Sequence, residues 1–199
     1  MAAVPVPQPE LIGRDAELEA IESFLSRRGT DGPPALVLEG EAGIGKTTLW
    51  REGLAFAPAR SYRVLAARPS SPELEMPFAG LADLVGEDVD GVLRQLPAPQ
   101  RQALEIALLR AEPGSSPPRP HTIAAAVLSY LRELSRLTPV LIAIDDVQWL
   151  DSESVGAVEF ALRRSATIDA LPSSAAGARM VTSVCYSGPE GYATAAFNV

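Results

Sequence analysis

One eight-residue stretch constrains this chain more than any other. Gly40-Glu41-Ala42-Gly43-Ile44-Gly45-Lys46-Thr47 has the spacing G-x-x-x-x-G-K-T. An apolar run of strand length, Ala35 to Leu38, precedes it, and Thr48 to Phe56 can continue as a helix behind it. A strand that ends in a glycine-rich turn and feeds a helix aims several backbone N–H groups, and the positive end of the helix dipole, at one point. A polyphosphate fits that point. Glycine is required because a side chain would block close backbone approach and the unusual dihedrals of the turn. The stretch from Gly40 to Thr48 is therefore expected to carry the phosphates. Lys46 supplies a mobile cation for the outer ones, and the Thr47 hydroxyl a ligand for Mg²⁺.

A second run supports the first. Pro139-Val140-Leu141-Ile142-Ala143-Ile144 is almost wholly apolar and ends in Asp145-Asp146. Such a run reads as a strand buried on both faces, as in a parallel sheet covered by helices. Two acids at the end of a buried strand are costly unless a cation balances them. Ligands of open α/β sheets sit at the carboxyl ends of the strands, so a nucleotide-bound metal is the expected cation. Asp145 is placed to hold Mg²⁺, which keeps several waters and takes only one or two carboxylates. Asp146 is placed to orient or deprotonate an attacking water. The competing reading is an Asp-Asp pair that only caps the next helix.

Composition removes other classes. The 199 residues suit one domain, and 47% apolar content is enough for a core. A formal charge of −8 disfavours nucleic acid and anionic membranes as direct partners. No apolar run is long enough to span a bilayer, and the first residues lack the basic start and apolar core of a secretory signal. The cytoplasm is the expected location. With one cysteine, Cys185, and one histidine, His121, an internal disulfide is excluded and a Cys/His zinc site or Ser-His-Asp hydrolase disfavoured. Both residues are read as structural.

Periodicity organises the rest. Residues 1–9 are expected to be a disordered, proline-rich lead-in, and 10–164 to form the N-terminal portion of a P-loop domain. Asp15 to Ser26 predicts a helix N-capped by Asp15, with Leu18, Ile21, Phe24 and Leu25 on one face. Tyr62 to Ala67 predicts a second strand, Pro69 to Pro77 a loop, and Phe78 to Leu84 and Pro99 to Leu109 helices. Residues 112–120 are Pro/Ser-rich and read as an exposed connection. Thr122 is the expected cap of a long helix bearing Ile123, Val127, Tyr130, Leu131 and Leu134. Asp151 caps the next, with Val155, Val158 and Leu162 inward. Strands alternating with helices predict an α/β, three-layer sandwich around a mostly parallel sheet, incomplete at its C-terminal end.

Four stretches together carry a resemblance: Leu11-Ile12-Gly13-Arg14-Asp15-Ala16-Glu17-Leu18, the loop GEAGIGKTTL, Glu75-Met76-Pro77-Phe78-Ala79-Gly80-Leu81, and LIAIDDVQWLD with Trp149. The chain resembles the N-terminal part of the signal-transduction ATPases with numerous domains, AAA-related P-loop ATPases, above all the large ATP-binding bacterial regulators of the LuxR class. The resemblance covers about residues 10–164. It implies ATP and Mg²⁺ as cofactors, Gly13 and Arg14 near the adenine, and Lys46, Thr47 and Thr48 on phosphates and metal. It also implies a nucleotide-dependent switch with slow hydrolysis, its output delivered by domains further along a longer chain.

The pattern weakens after Arg164. The family has another strand there, closed by a polar or basic sensor residue near the γ-phosphate. Here residues 165–199 read as an atypical tail, in which Met180 to Cys185 is expected as a substitute strand with no closing arginine and the rest is expected to be disordered. A fragment, or a reading frame altered near residue 165, explains this better than a natural short protein. A strand missing there would leave a sheet edge or helix face uncovered, giving marginal solubility and a route to a protein partner or self-association. Without sensor arginine or lid the chain is expected to be a poor ATPase, and it lacks a helix-turn-helix for DNA. A nucleotide-binding module without turnover is the alternative to the switch. A transporter ATPase, a GTPase and a small-molecule kinase are disfavoured, because no LSGGQ-like, N-K-x-D or arginine-rich lid motif is present.

Overall fold

The computed structural model describes residues 13–26, 35–86, 89–115, 117–136, 138–165 and 178–186. The expected lead-in at 1–9, the stretch 166–177 and the end of the tail lie outside the described residues. Within them, strands β1 (Ala35–Glu41), β2 (Arg63–Ala67), β3 (Val140–Ile144) and β4 (Ala178–Tyr186) form one parallel sheet in the order β1-β4-β3-β2. Seven helices accompany it: α1 (Asp15–Ser26), α2 (Lys46–Ala55), α3 (Ala79–Val85), α4 (Asp90–Leu93), α5 (Ala98–Ala107), α6 (Pro120–Ser135) and α7 (Ser152–Ser165).

β3 shows why the layers form. All five of its residues are buried, and they alternate between two cores as a strand's period of two requires. Leu141 and Ala143 pack with Ile21, Phe24 and Leu25 of α1 and with Leu49 and Trp50 of α2. Val140, Ile142 and Ile144 face the larger cluster, which α3, α5, α6 and α7 fill with residues such as Leu81, Leu104, Tyr130 and Val158. The expected three-layer α/β arrangement is the observed one. Each fully buried aliphatic side chain contributes roughly 1.5–3 kcal/mol, so a strand buried on both faces is a central term in stability.

The C-terminal strand falls where expected, with Met180 to Cys185 inside β4, Ala178–Tyr186. The loss of pattern after Arg164 suggests a sheet short of one strand. Instead β4 pairs with β1 along Ala35–Glu41 and with β3 along Val140–Ile144. It occupies the slot between the strand before the glycine loop and the strand before the acids, so no gap opens there. Met180 and Val181 are buried in opposite cores. Small and polar residues between them and Cys185 blur the apolar signal, which is why periodicity alone reads this strand weakly.

Smaller differences concern helix ends. Leu18 N donates to Arg14 O, which makes Arg14 the cap of α1 and Asp15 its first helical residue. α6 starts at Pro120 with Arg119 as its cap, three residues before the expected cap Thr122, because proline suits the first helical position, where its missing N–H is not needed. The loop 69–77 contains a 3₁₀ turn, Ser71–Glu75, held by a capping box between Ser70 and Glu73. α4 has no sequence signal of helical length.

Asp151 does more than cap α7. Its buried carboxylate accepts hydrogen bonds from Ser154 N (2.9 Å) in α7, and from Phe78 N (2.8 Å) and Gly80 N (3.0 Å) at the start of α3. Ser154 Oγ accepts from Leu81 N at 2.8 Å. Two helix starts, more than 70 residues apart, thus share one carboxylate. Gly80 permits the approach, since a Cβ there would lie 2.1 Å from Leu150 Cδ1. Removing the carboxylate leaves buried N–H groups without partners, at about 1–3 kcal/mol each. Asp151→Ala should therefore lower the unfolding free energy by about 3 kcal/mol or more in urea titration. Glu159→Ala, which removes only the surface pair with Arg163, should cost less than about 0.5 kcal/mol. Comparable losses in the two variants would contradict this reading of Asp151.

Candidate nucleotide site

The glycine loop folds as its spacing requires. β1 runs to Glu41, and the chain turns through 42–45 into α2. Gly43 (φ 80°) and Gly45 (φ 94°) both adopt left-handed conformations, which glycine tolerates without strain. Gly45 caps α2, and no side chain closes that helix end, so its first N–H groups and dipole face the loop's concavity. Lys46 opens α2 and is buried. Its Nζ donates to Gly40 O (2.9 Å) and Glu41 O (2.8 Å). The ammonium is held inside the loop, within a side-chain swing of the space over the helix start. Glu41, Ala42, Gly43 and Ile44 are exposed, and Thr48 is half-buried.

The acids meet this loop. Thr47 Oγ1 donates to Asp145 Oδ1 at 3.3 Å across 98 positions of sequence. The sheet order accounts for this. The loop follows β1, Asp145 follows β3, and the single strand β4 separates them, all with carboxyl ends on one side. Asp145 is 2% exposed. Its backbone N donates to Ala67 O (3.0 Å), and Arg68 Nε, just beyond β2, stands 3.5 Å from its Oδ2. Asp146 is half-buried and sits in a left-handed conformation (φ 53°, ψ 56°). That geometry is strained for a residue with a Cβ and is found preferentially at functional sites. Gln148 Nε2 donates to Asp146 Oδ1 at 3.1 Å.

Arg14 borders the loop from the other side. Its Nη2 donates to Ile44 O at 3.1 Å, and its Nη1 pairs with Glu17 at 2.6 Å. Hydrogen bonding to Arg14 holds the Glu17 carboxyl below the usual glutamate range. With Ile44, Lys46, Leu49 and the flank of β1, Arg14 lines a cleft of about 270 Å³. Gly13, at φ 73°, adjoins Arg14 in sequence but does not line the cleft.

The donor set suits a nucleotide-borne Mg²⁺. Among the described residues no group of three His, Cys, Asp or Glu side chains could hold a metal ion alone. Thr47 and Asp145, one hydroxyl and one carboxylate already in contact, offer the small number of protein ligands that Mg²⁺ takes beside phosphates and water. Arg68 and Gln148 are site residues that sequence reading misses. The register Ala67↔Ile144, which puts Arg68 level with Asp145, could have exposed the first only once strand pairing was known. His121 is remote from these groups in role: its ring meets Phe160 edge-on, with centroids 5.2 Å apart. The Cys185 side chain lies outside the described residues.

The sequence pattern of the AAA ATPase domain matches residues 10–173 of the chain. The chain belongs to the AAA ATPase domain family. This makes it a nucleotide-binding P-loop NTPase domain, with the glycine loop and the acidic strand end in the relation described above. A solved structure of the Aeropyrum pernix ORC2 protein, as ADPNP-ADP complexes, is similar at a TM-score of 0.46 and 17% sequence identity. That match covers 92% of this chain and 43% of the ORC2 chain, so the AAA ATPase domain here spans less than half of that protein's length. No curated protein matches the chain. No helix among the described residues is long and apolar enough to cross a membrane.

The two acids separate experimentally. Asp145→Asn should raise the Mg²⁺ concentration needed for nucleotide binding by about tenfold, the effect of losing one charged ligand worth about 1.4 kcal/mol. Asp146→Asn should leave binding within about twofold and slow any hydrolysis. Mg²⁺ titrations followed by a fluorescent nucleotide would check this. Equal effects on binding would instead make the pair a structural cap.

Proposed function

We propose that this AAA ATPase domain binds Mg-ATP and acts as a nucleotide-dependent switch within a signal-transducing regulator of the LuxR class. The observation that carries the proposal is the Thr47–Asp145 contact, because it unites the two halves of a phosphate-and-metal site that the sequence keeps far apart. In the proposed bound state the loop from Gly40 to Thr48 wraps the phosphates with its N–H groups. Lys46 exchanges the Gly40 and Glu41 carbonyls for the outer phosphate oxygens. Thr47 and Asp145 hold Mg²⁺, which when bound neutralises charge on the outer phosphates. Asp146 orients an attacking water, accepting its proton at the carboxylate. Arg14, which lines the cleft beside the loop, flanks the base, with Gly13 next to it in the chain.

A second reading, nucleotide binding with little or no turnover, draws support from one contact. Gln148 occupies an oxygen of Asp146, which leaves that carboxylate less available to a water. In either reading Lys46→Ala should weaken binding of Mg-ATP by tenfold or more in calorimetry, since a charge-assisted contact to phosphate is worth about 1.5–3 kcal/mol. Unchanged affinity in that variant would overturn the proposal. A phosphate-release assay on the wild-type chain separates the readings, with steady multiple turnovers favouring the hydrolysing switch.

A further inference from the structure

Arg68 stands beside the metal-ligand pair without a role in the reading given so far. It follows the last residue of β2, and Asp145 N donates to Ala67 O at 3.0 Å, so the backbone fixes Arg68 level with Asp145. α3 packs on β2, and the Arg68 backbone N–H is near enough to the Asp83 carboxylate of α3 to favour its ionised form. α3 is itself fastened to α7 through Asp151. The base of the side chain is therefore held, while its outer part is not: the Arg68 side chain is 54% exposed and reaches Asp145 Oδ2 at 3.5 Å, longer than a good charge-assisted bond. On the other oxygen of the same carboxylate sits Thr47 Oγ1. Hydroxyl, carboxylate and guanidinium stand in a row at the mouth of the loop.

We infer that Arg68 is a phosphate-sensing residue of this nucleotide site, one that balances Asp145 in the metal-free state and turns to the terminal phosphate when Mg-ATP is bound. The inference rests on the Mg-nucleotide reading above. A carboxylate buried as fully as Asp145 needs a cationic or hydrogen-bonding partner, and Arg68 is a cation that can serve without metal. A divalent cation between Thr47 and Asp145 takes over that carboxylate and repels a guanidinium a few ångströms away. The nearest new anion is the outermost phosphate on the same cation, and a half-exposed arginine has the length and freedom to reach it. Guanidinium geometry suits bidentate contact with phosphate oxygens. A diphosphate ends short of this position, so the contact distinguishes ATP from ADP.

The test compares Mg-ADP with the Mg complex of a non-hydrolysable β,γ-imido ATP analogue, by calorimetry on the full 199-residue chain. Arg68→Ala should lower the triphosphate-to-diphosphate affinity ratio by about tenfold, one charge-assisted contact, with ADP affinity kept within about threefold. Arg68→Lys should recover part of the ratio. In parallel, the Mg²⁺ concentration giving half-maximal ADP binding should fall in Arg68→Ala, because the guanidinium no longer competes for Asp145. An unchanged ratio with ADP still bound would overturn the inference and leave the nucleotide reading intact. Equal loss of both nucleotides would also overturn it, by making Arg68 a general support of the site. Failure of the wild-type chain to bind either nucleotide would overturn both.

Discussion

A single buried carboxylate organises this molecule. Asp145 lies at the end of a strand whose five residues are all inside, where an isolated charge would cost several kcal/mol. It is tolerated because neighbours from two other parts of the chain converge on it. Thr47 arrives from the helix after the glycine loop, and Arg68 from the end of β2. The parallel sheet makes that convergence possible, since it places every strand's carboxyl end on one side. Swapping the order of strands would separate the same residues by strand spacings of nearly 5 Å each.

The surrounding fold holds this point still. Asp151, six residues past Asp145, ties the start of α7 to the start of α3 through backbone N–H groups. α3 packs on β2 and brings the Asp83 carboxylate near the Arg68 backbone N–H. Partial desolvation, with the Glu73 carboxylate adding to it, raises the Asp83 pKa above the usual aspartate range, while the nearby Arg68 N–H opposes the rise. Folding therefore favours the protonated form of Asp83 relative to the unfolded chain. Its contribution is most favourable at acid pH and is lost as pH climbs through the raised value. Among the described residues Ser61, Phe78, Leu109 and Asp146 adopt left-handed backbone conformations without being glycine, and of these Asp146 lies at the candidate site.

Much of this was legible in the residues themselves. The loop from Gly40 to Thr47 declares its own geometry, because few sequences allow left-handed turns at Gly43 and Gly45 just before a lysine. The run Val140 to Ile144 declares a strand buried on both faces, and the helical stripes at Ile21 and at Ile123 to Leu134 point inward as their period demands. What escaped the sequence depends on pairing between distant segments. β4 is expected at Met180 to Cys185, but its place between β1 and β3 depends on pairing that the sequence does not show. Arg68 looks like any basic residue after a strand until the register Ala67↔Ile144 puts it beside Asp145. Asp151 reads locally as a helix cap, and its bonds to Phe78 and Gly80 are invisible without the fold. The caps of α1 and α6, Arg14 and Arg119, lie one and three residues before the expected Asp15 and Thr122, for local reasons.

The central claim is that the glycine loop and the end of β3 form one ligand site. Hydrogen–deuterium exchange of the backbone amides, measured with and without saturating Mg-ATP, tests it most directly. The account predicts slowed exchange in two separate segments at once, residues 40–49 and residues 145–149, with α5 (Ala98–Ala107) unchanged. Protection confined to one of these segments, or appearing instead around His121 and Phe160, would contradict it.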